Sequence, residues 1–322
     1  MRTAGSHLLI FGVRCLGRML SLLPPRGWQL LSTPGAWILW VVLAKHRRRT
    51  LANLEAWGRS GAEARRLGRS SFRSNLLVLF ESLAMARLVE RRRGVRVDEH
   101  ITPAALEIIR DLRDGKTHFV QAVSGHIGVW EFVGVEMVTR VRPARVAVSS
   151  RLPKNPIVAK YLRDLRSDFG IELVDKQNFL KYLVRNVRSR EPHLYIFLCD
   201  QHTAGGIPVD FLGRPACTVG MPGVLVERYD APTLVGACTR AGPGHYRIDI
   251  DALDRSKYAG LPKEQVAPAV TADISRVLGE FVERAPAQWT WGHRRWRDCC
   301  RASVDRASEP TQHDTPQTAS EP

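Results

Sequence analysis

The stretch of this chain richest in chemical possibilities is Thr117 to Glu131, THFVQAVSGHIGVWE. Thr117 to Val123 is rich in β-branched and aromatic residues and reads as a buried strand. Ser124-Gly125 breaks the strand, His126 follows, and Ile127 to Val138 reads as an apolar helix. A histidine at the carboxyl end of a strand stands where open α/β sheets place their sites. Glu131 comes five residues after His126. Five residues on a regular helix turn through about 500°. The two side chains therefore meet only if His126 lies in the turn and Glu131 in the first turns of the helix. A carboxylate so placed accepts the Nδ1–H of the imidazole, fixes the tautomer and leaves Nε2 as a general base. This is the base-and-orienter part of a triad, with the substrate supplying the nucleophile. His-x4-Glu by itself is a weak signal.

Three further blocks carry polar groups. Arg151 follows the apolar run Arg145 to Ser149, a strand, and so shares a sheet edge with His126. There it either stabilises the oxyanion of a tetrahedral intermediate or holds a phosphate. Asn155 suits the cap of the next helix, which carries Arg163 and Arg166. Asp200-Gln201 ends the apolar run His193 to Cys199, again a strand terminus. Asp200 is expected to pair with Arg166 or Arg151. A helix beginning near Thr218-Val219-Gly220 offers amide N–H groups to an anion. The last block is Gln288 to Trp296, QWTWGHRRW: its aromatics belong either at a membrane interface or packed under the sheet, and Arg294 and Arg295 suit lipid phosphates.

SGHIGVWE, the later DQ…GGIPVDFLGRPACT and the terminal QWTWGHRRW come in an order that resembles the bacterial lipid A biosynthesis (lauroyl/myristoyl) acyltransferases, within the wider H-x4-D/E glycerolipid acyltransferases. The resemblance runs from about Arg47 to Arg297 and includes the basic block RRRTLANL at Arg47 to Leu54. It implies His126 as general base, Glu131 as its support, Arg166 as a functional arginine and Asp200-Gln201 as substrate-site residues. It implies no covalent acyl-enzyme, and no G-x-S-x-G is present to suggest one. No Glu-Gly-Thr-Arg occurs, which lowers lysophosphatidate as the acceptor. The expected donor is an acyl carrier protein or acyl-CoA thioester, and the expected acceptor a hydroxyl of an anionic glycolipid. A lysophospholipid or phosphatidylinositol-mannoside acceptor, a thioesterase, and a non-catalytic basic membrane or nucleic-acid binder are the alternatives.

The chain has 322 residues and a formal net charge of +16. From Met1 to Thr50 there are eight Lys/Arg and no acid; the first is Glu55. Basic residues among long apolar runs suggest an anionic membrane surface. No helix-turn-helix, zinc-finger or RNP signature supports nucleic acid as a partner. The six cysteines show no C-x2-C spacing and read as free thiols of a reducing compartment. No metal and no bound cofactor is expected: no His or Cys pair has zinc spacing, and no Gly-rich nucleotide loop occurs.

The elements that must position these residues are read from periodicity. Leu8 to Leu23 carries Arg14 and Arg18 and reads as an amphipathic segment. Trp28 to Ala44 has 17 uncharged residues interrupted by Pro34-Gly35. It is marginal for a span, which needs about 20, and otherwise lies in the interface with Trp28, Trp37 and Trp40 at headgroup depth. Lys45 to Arg49 would then face the cytoplasm, on the inner membrane. Helices are expected at Leu67 to Leu88, Thr102 to Asp114, Asn155 to Phe169, Asn178 to Ser189, Val224 to Tyr229 and Lys263 to Arg284. Short strands are expected at Ile171 to Val174, Thr233 to Cys238 and Tyr246 to Ile250. This alternation argues an α/β fold with a mainly parallel central sheet covered by helices on both faces, preceded by a membrane-associated helical segment. The expected organisation is an anchoring segment over residues 1–50, an acyltransferase domain over 51–300 and a disordered Ser/Thr/Pro/Glu-rich tail over 301–322. The run Arg91-Arg92-Arg93 is either a solvated face or a lipid-phosphate contact.

Overall fold

A computed structural model describes residues 2–85, 88 and 95–297. The Arg91-Arg92-Arg93 run, the carboxyl-terminal tail and Cys299-Cys300 lie outside the described residues. Among the described residues the chain opens with the helices α1 (Arg2–Leu22), α2 (Pro25–Val42), α3 (Ala44–Ala56) and α4 (Gly61–Leu83). The α/β part follows as β1 (Arg96–Ile101), α5 (Pro103–Arg113), β2 (Phe119–Ser124), α6 (Trp130–Val141), β3 (Arg145–Ser150), α7 (Pro156–Ser167), β4 (Ile171–Asp175), α8 (Phe179–Ser189) and β5 (His193–Leu198). A hairpin of β6 (Ile207–Phe211) and β7 (Arg214–Thr218) comes next, then α9 (Met221–Tyr229), β8 (Thr233–Gly242), β9 (His245–Ala252) and α10 (Lys263–Arg284).

Seven strands form one sheet in the order β1-β9-β8-β2-β5-β3-β4. Every neighbouring pair is parallel except β8 with β9. Strand β5 shows why the apolar runs are continuous: Leu194 and Ile196 enter one core cluster, with α5 and α6, while Tyr195 and Phe197 enter the other, with α8, α9 and α10. Both faces are buried, so no polar alternation survives. The crossovers after β2 build β3, β4 and β5 on one side. After β5 the chain returns to the other side of β2 to lay down β8 and β9. The carboxyl ends of β2 and β5 therefore flank the point where the winding reverses, the position at which such sheets hold ligands.

Local chemistry sets the helix ends. Thr102 and Asn155 each accept a hydrogen bond from the first turn that follows, and Pro103 and Pro156 occupy the first helical position. Asn155 also donates to Ser6 Oγ (2.8 Å), which ties α1 to α7.

The amino-terminal helices differ from expectation in detail. Pro34 does not end α2, which continues to Val42; its exposed ring is accommodated within the helix, and the chain turns sharply only at Leu43, by 95°. No single described helix is long and apolar enough to cross a membrane; the bent pair α2–α3 passes by length and composition alone. Trp28 is buried and donates to the Leu20 carbonyl (2.8 Å), and Trp40 packs edge-on to Phe72. Of the three tryptophans expected at headgroup depth only Trp37 is exposed, because α2 turns its other ring-bearing face onto α1 and α4. Cys15, Cys199 and Cys238 are free, but Cys217 is disulfide-bonded, against the expectation of free thiols throughout.

Candidate active site

His126 lies in the turn between β2 and α6, four residues before the helix begins at Trp130 rather than at its start. Two glycines make that turn possible. Gly128 has φ +56°, and a Cβ there would stand 2.0 Å from the Cys238 carbonyl oxygen. Its N–H donates to the Gln288 carbonyl (2.9 Å), and that of Val129 to the Cys238 carbonyl (2.8 Å). A Cβ at Gly125 would lie 3.0 Å from the Asp200 side chain. The missing side chain is what lets the Asp200 carboxylate reach His126.

Asp200, at the end of β5, holds the histidine. The His126 backbone N–H donates to Asp200 Oδ2 (2.7 Å), and Nδ1 of the ring lies 2.8 Å from Oδ1. Trp289 Nε1–H donates to Oδ2 as well (2.8 Å). The carboxylate is 1% exposed and the imidazole 21%. Burial alone would raise the Asp200 pKa, but the His126 charge and these three N–H donors overcome it and hold the group down at about 2. For His126, burial pushes the pKa down. The Asp200 charge and hydrogen bond, helped by Glu131, overcome that and leave it above the ordinary histidine value. An imidazole bonded through Nδ1 to an ionised carboxylate presents Nε2 as its free basic nitrogen. The Gln201 amide nitrogen is 3.1 and 3.2 Å from the two ring nitrogens, which puts it over the ring face rather than in the ring plane. Trp130 meets the ring at its edge, centroid to centroid 5.0 Å.

The expected partnerships are thus exchanged. Glu131, in the first turn of α6, does not accept from His126; its Oε1 pairs with Arg166 of α7. Asp200 pairs with neither Arg166 nor Arg151. The reason is positional: α6 starts late enough to carry Glu131 away from the ring and toward α7, while β5 lies beside β2 and delivers Asp200 directly. Glu131 Oε2 is buried with no hydrogen-bond partner among the described residues.

Two cavities meet at His126. The first, about 220 Å³, is apolar over most of its wall (Val135, Val148, Leu162, Phe169, Ile171, Ile196) and has His126, Glu131 and Arg166 at its polar end. The second, about 440 Å³, is polar and contains Arg151 and Gln201. Arg151 and Arg166 therefore serve different spaces. Arg295 is fully buried: it donates to the Gln201 and Cys217 carbonyls and to Thr218 Oγ1, over the Phe211 ring. Burial pushes its pKa down to about 10, and it is out of reach of a lipid phosphate. Arg294 is exposed. In the same block Trp289 and Trp296 pack under the sheet against Phe211, and Trp291 packs on those two tryptophans. Asn53 donates to the Trp291 (2.7 Å) and His293 (2.6 Å) carbonyls, and Arg49 to that of Gly292 (3.2 Å). The RRRTLANL and QWTWGHRRW blocks are thus two halves of one contact. Trp289 as a carboxylate donor was not foreseen; a tryptophan inside an aromatic block gives no sign that its N–H is committed.

A strand-end histidine held by a buried carboxylate, opening on one side to an apolar cavity, is a site for base chemistry on a substrate with a long apolar part. The family model described as bacterial lipid A biosynthesis acyltransferase matches residues 3–298, nearly the whole chain. The chain belongs to that family and is an acyltransferase. A comparison with curated proteins gives no match.

Proposed function

We propose that this enzyme moves a fatty acyl group from an acyl carrier protein or coenzyme A thioester to a hydroxyl of a lipid A precursor or similar anionic glycolipid. The observation that carries the reading is the Asp200-held imidazole at the mouth of an apolar cavity. Nε2 of His126 takes the acceptor's hydroxyl proton as that oxygen attacks the thioester carbonyl. Asp200 stabilises the imidazolium that forms. The tetrahedral oxyanion is offered the Arg166 guanidinium, oriented by Glu131. Collapse breaks the carbon–sulfur bond, and the departing thiolate recovers the proton from His126. The products are ester and free thiol. The acyl chain lies in the apolar cavity.

The same reading places the enzyme on the cytoplasmic face of the inner membrane. Leu8, Leu9, Phe11, Met19 and Leu22 of α1 and Leu30, Trp37, Ile38 and Val42 of α2 are exposed. So large an apolar face, with basic residues around it and no acid before Glu55, suits the surface of an anionic bilayer. A net charge of +16 would also steer an acidic carrier protein to the site.

The test is acyl transfer by detergent-solubilised protein. Labelled acyl carrier protein and acyl-CoA are each offered with lipid A precursors and lysophospholipids, beside His126→Ala. Transfer to a glycolipid, lost in the variant, supports the reading. Transfer to a lysophospholipid alone changes the acceptor, and release of free fatty acid without acceptor makes the enzyme a thioesterase. Undiminished transfer by the variant removes His126 as the base.

A further inference from the structure

We infer that the polar cavity beyond His126 is a phosphate subsite, built chiefly from Arg151 and Lys176, that holds a phosphate ester of one substrate while the acyl chain occupies the apolar cavity. The inference rests on the acyl-transfer reading and orients the substrates within it.

The two cations come from equivalent places. Arg151 is the first residue after β3 and Lys176 the first after β4. The strands are parallel neighbours, with Ser150 paired to Asp175, and the Lys176 N–H donates to the Ser150 carbonyl (2.8 Å). The register therefore brings both residues to one sheet edge, beside Gln201 and His202 at the end of β5.

The lining of this cavity is one-signed. Among the described residues it is lined by Arg151, Lys176, His126, His202 and His293 and by Ser149, Ser150 and Thr203, with no carboxylate among them. Asp175 is turned to the Gln177 N–H (2.9 Å) and Asp200 lies behind His126; neither lines it. Neither Arg151 nor Lys176 has an ion-pair partner among the described residues. Two cations without an ion-pair partner, sharing a wall with hydroxyl side chains and with no acid among the described lining residues, form a site for a multiply charged anion with several acceptor oxygens. His202 is held below the ordinary histidine pKa by burial and then by Arg297 and Arg295; His293 is held below it by burial, against the Asp200 charge, with His126, Arg49 and Arg295 adding to the lowering. They enter the site as neutral hydrogen-bonding rings. The volume, about 440 Å³, falls in the range of small-molecule sites, roughly 300–1,000 Å³.

Two phosphates are within the chemistry: one on the acceptor sugar, or the one in the phosphopantetheine arm of the donor. The double variant Arg151→Gln/Lys176→Gln separates them. KM is measured for a phosphorylated acceptor and its dephosphorylated form, and for acyl-CoA and an acyl-N-acetylcysteamine thioester, which lacks phosphate. If the acceptor phosphate binds here, the wild-type preference for the phosphorylated acceptor collapses toward one in the variant, by on the order of 10-fold per cation removed. The change falls in KM rather than kcat, as for uniform binding. If the donor phosphate binds here, the preference for acyl-CoA collapses instead. Preferences that stay as in the wild type, or KM values that rise alike for all four substrates, overturn the subsite. Calorimetric titration with inorganic pyrophosphate, which needs no turnover, keeps the two claims apart. Binding by the wild type that the double variant loses supports the subsite even where no acyl transfer is found; equal binding, or none by the wild type, overturns it even where transfer is robust.

Discussion

Asp200→Asn is the most informative single change in this enzyme. Asp200 accepts three N–H groups on two oxygens: His126 Nδ1 on Oδ1, and the His126 backbone and Trp289 Nε1 on Oδ2. An asparagine has one oxygen and one NH2. With its oxygen at the Oδ2 position it keeps two of the three bonds and points NH2 at Nδ1. Turned round, it keeps one bond and sets NH2 against two donors. The first arrangement is better by at least one hydrogen bond, about 1 kcal/mol. It obliges Nδ1 to accept, so the ring proton moves to Nε2 and the basic nitrogen is lost. In serine-protease triads the same exchange costs about 10⁴ in kcat by this route, or about 5 kcal/mol of barrier. A loss of that order is expected here with the fold intact. The assay pairs acyl-transfer rates with ¹⁵N NMR of labelled histidine, which reports the tautomer of His126 directly. Asp200→Asn should switch the tautomer and Glu131→Gln should not. A switch in Glu131→Gln, or Asp200→Asn within 10-fold of the wild type, would refute the assignment of Asp200 as the orienting group.

Other outcomes follow from the same geometry. Glu131→Gln and Arg166→Gln act on one ion pair, so each should lower kcat and the double variant should fall little below the worse single one, a non-additivity read from a double-mutant cycle. Gly134 of α6 stands where the apolar cavity meets a smaller one lined by Trp130, Met137, Leu198 and Leu234. A Cβ there already approaches Ile171 Cδ1 to 3.3 Å, so Gly134→Leu should shorten the preferred acyl chain, seen by competing donors of different length. Replacing Leu8, Phe11 and Trp37 together by serine should weaken sedimentation with anionic vesicles while leaving the thermal midpoint near that of the wild type, because all three side chains are exposed.

The sheet edge was readable from the residues alone because apolar strands end abruptly at His126, Arg151 and Asp200, and because Asn155-Pro156 and Thr102-Pro103 announce helix starts by capping chemistry. What stayed hidden depends on topology. Asp200 is 74 residues from His126, and only the crossover through β3 and β4 sets β5 beside β2. Glu131, five residues away, was the nearer claimant to the same hydrogen bond. The strand β1, RVDEHI, pairs along one side only and has no buried residue, half of it being exposed, so it lacks the apolar signature that marks the interior strands. The β6–β7 hairpin was concealed by Pro208, Gly213 and Pro215, residues that read as loop. The burial of Trp28 and Arg295 likewise follows from neighbours brought in from distant parts of the chain.

The central claim is that a neutral His126, held by Asp200, is the base of acyl transfer. The pH dependence of kcat/KM tests it most directly. Because the Asp200 charge holds the His126 pKa above its usual 6.5, the ring stays protonated, and useless as a base, further up the pH scale. The rate should therefore rise with pH through an apparent pKa above 6.5. In Asp200→Asn the residual rate should rise at lower pH, since burial then dominates. A limb that persists unmoved in Asp200→Asn, or in His126→Ala, would belong to another group and contradict the account.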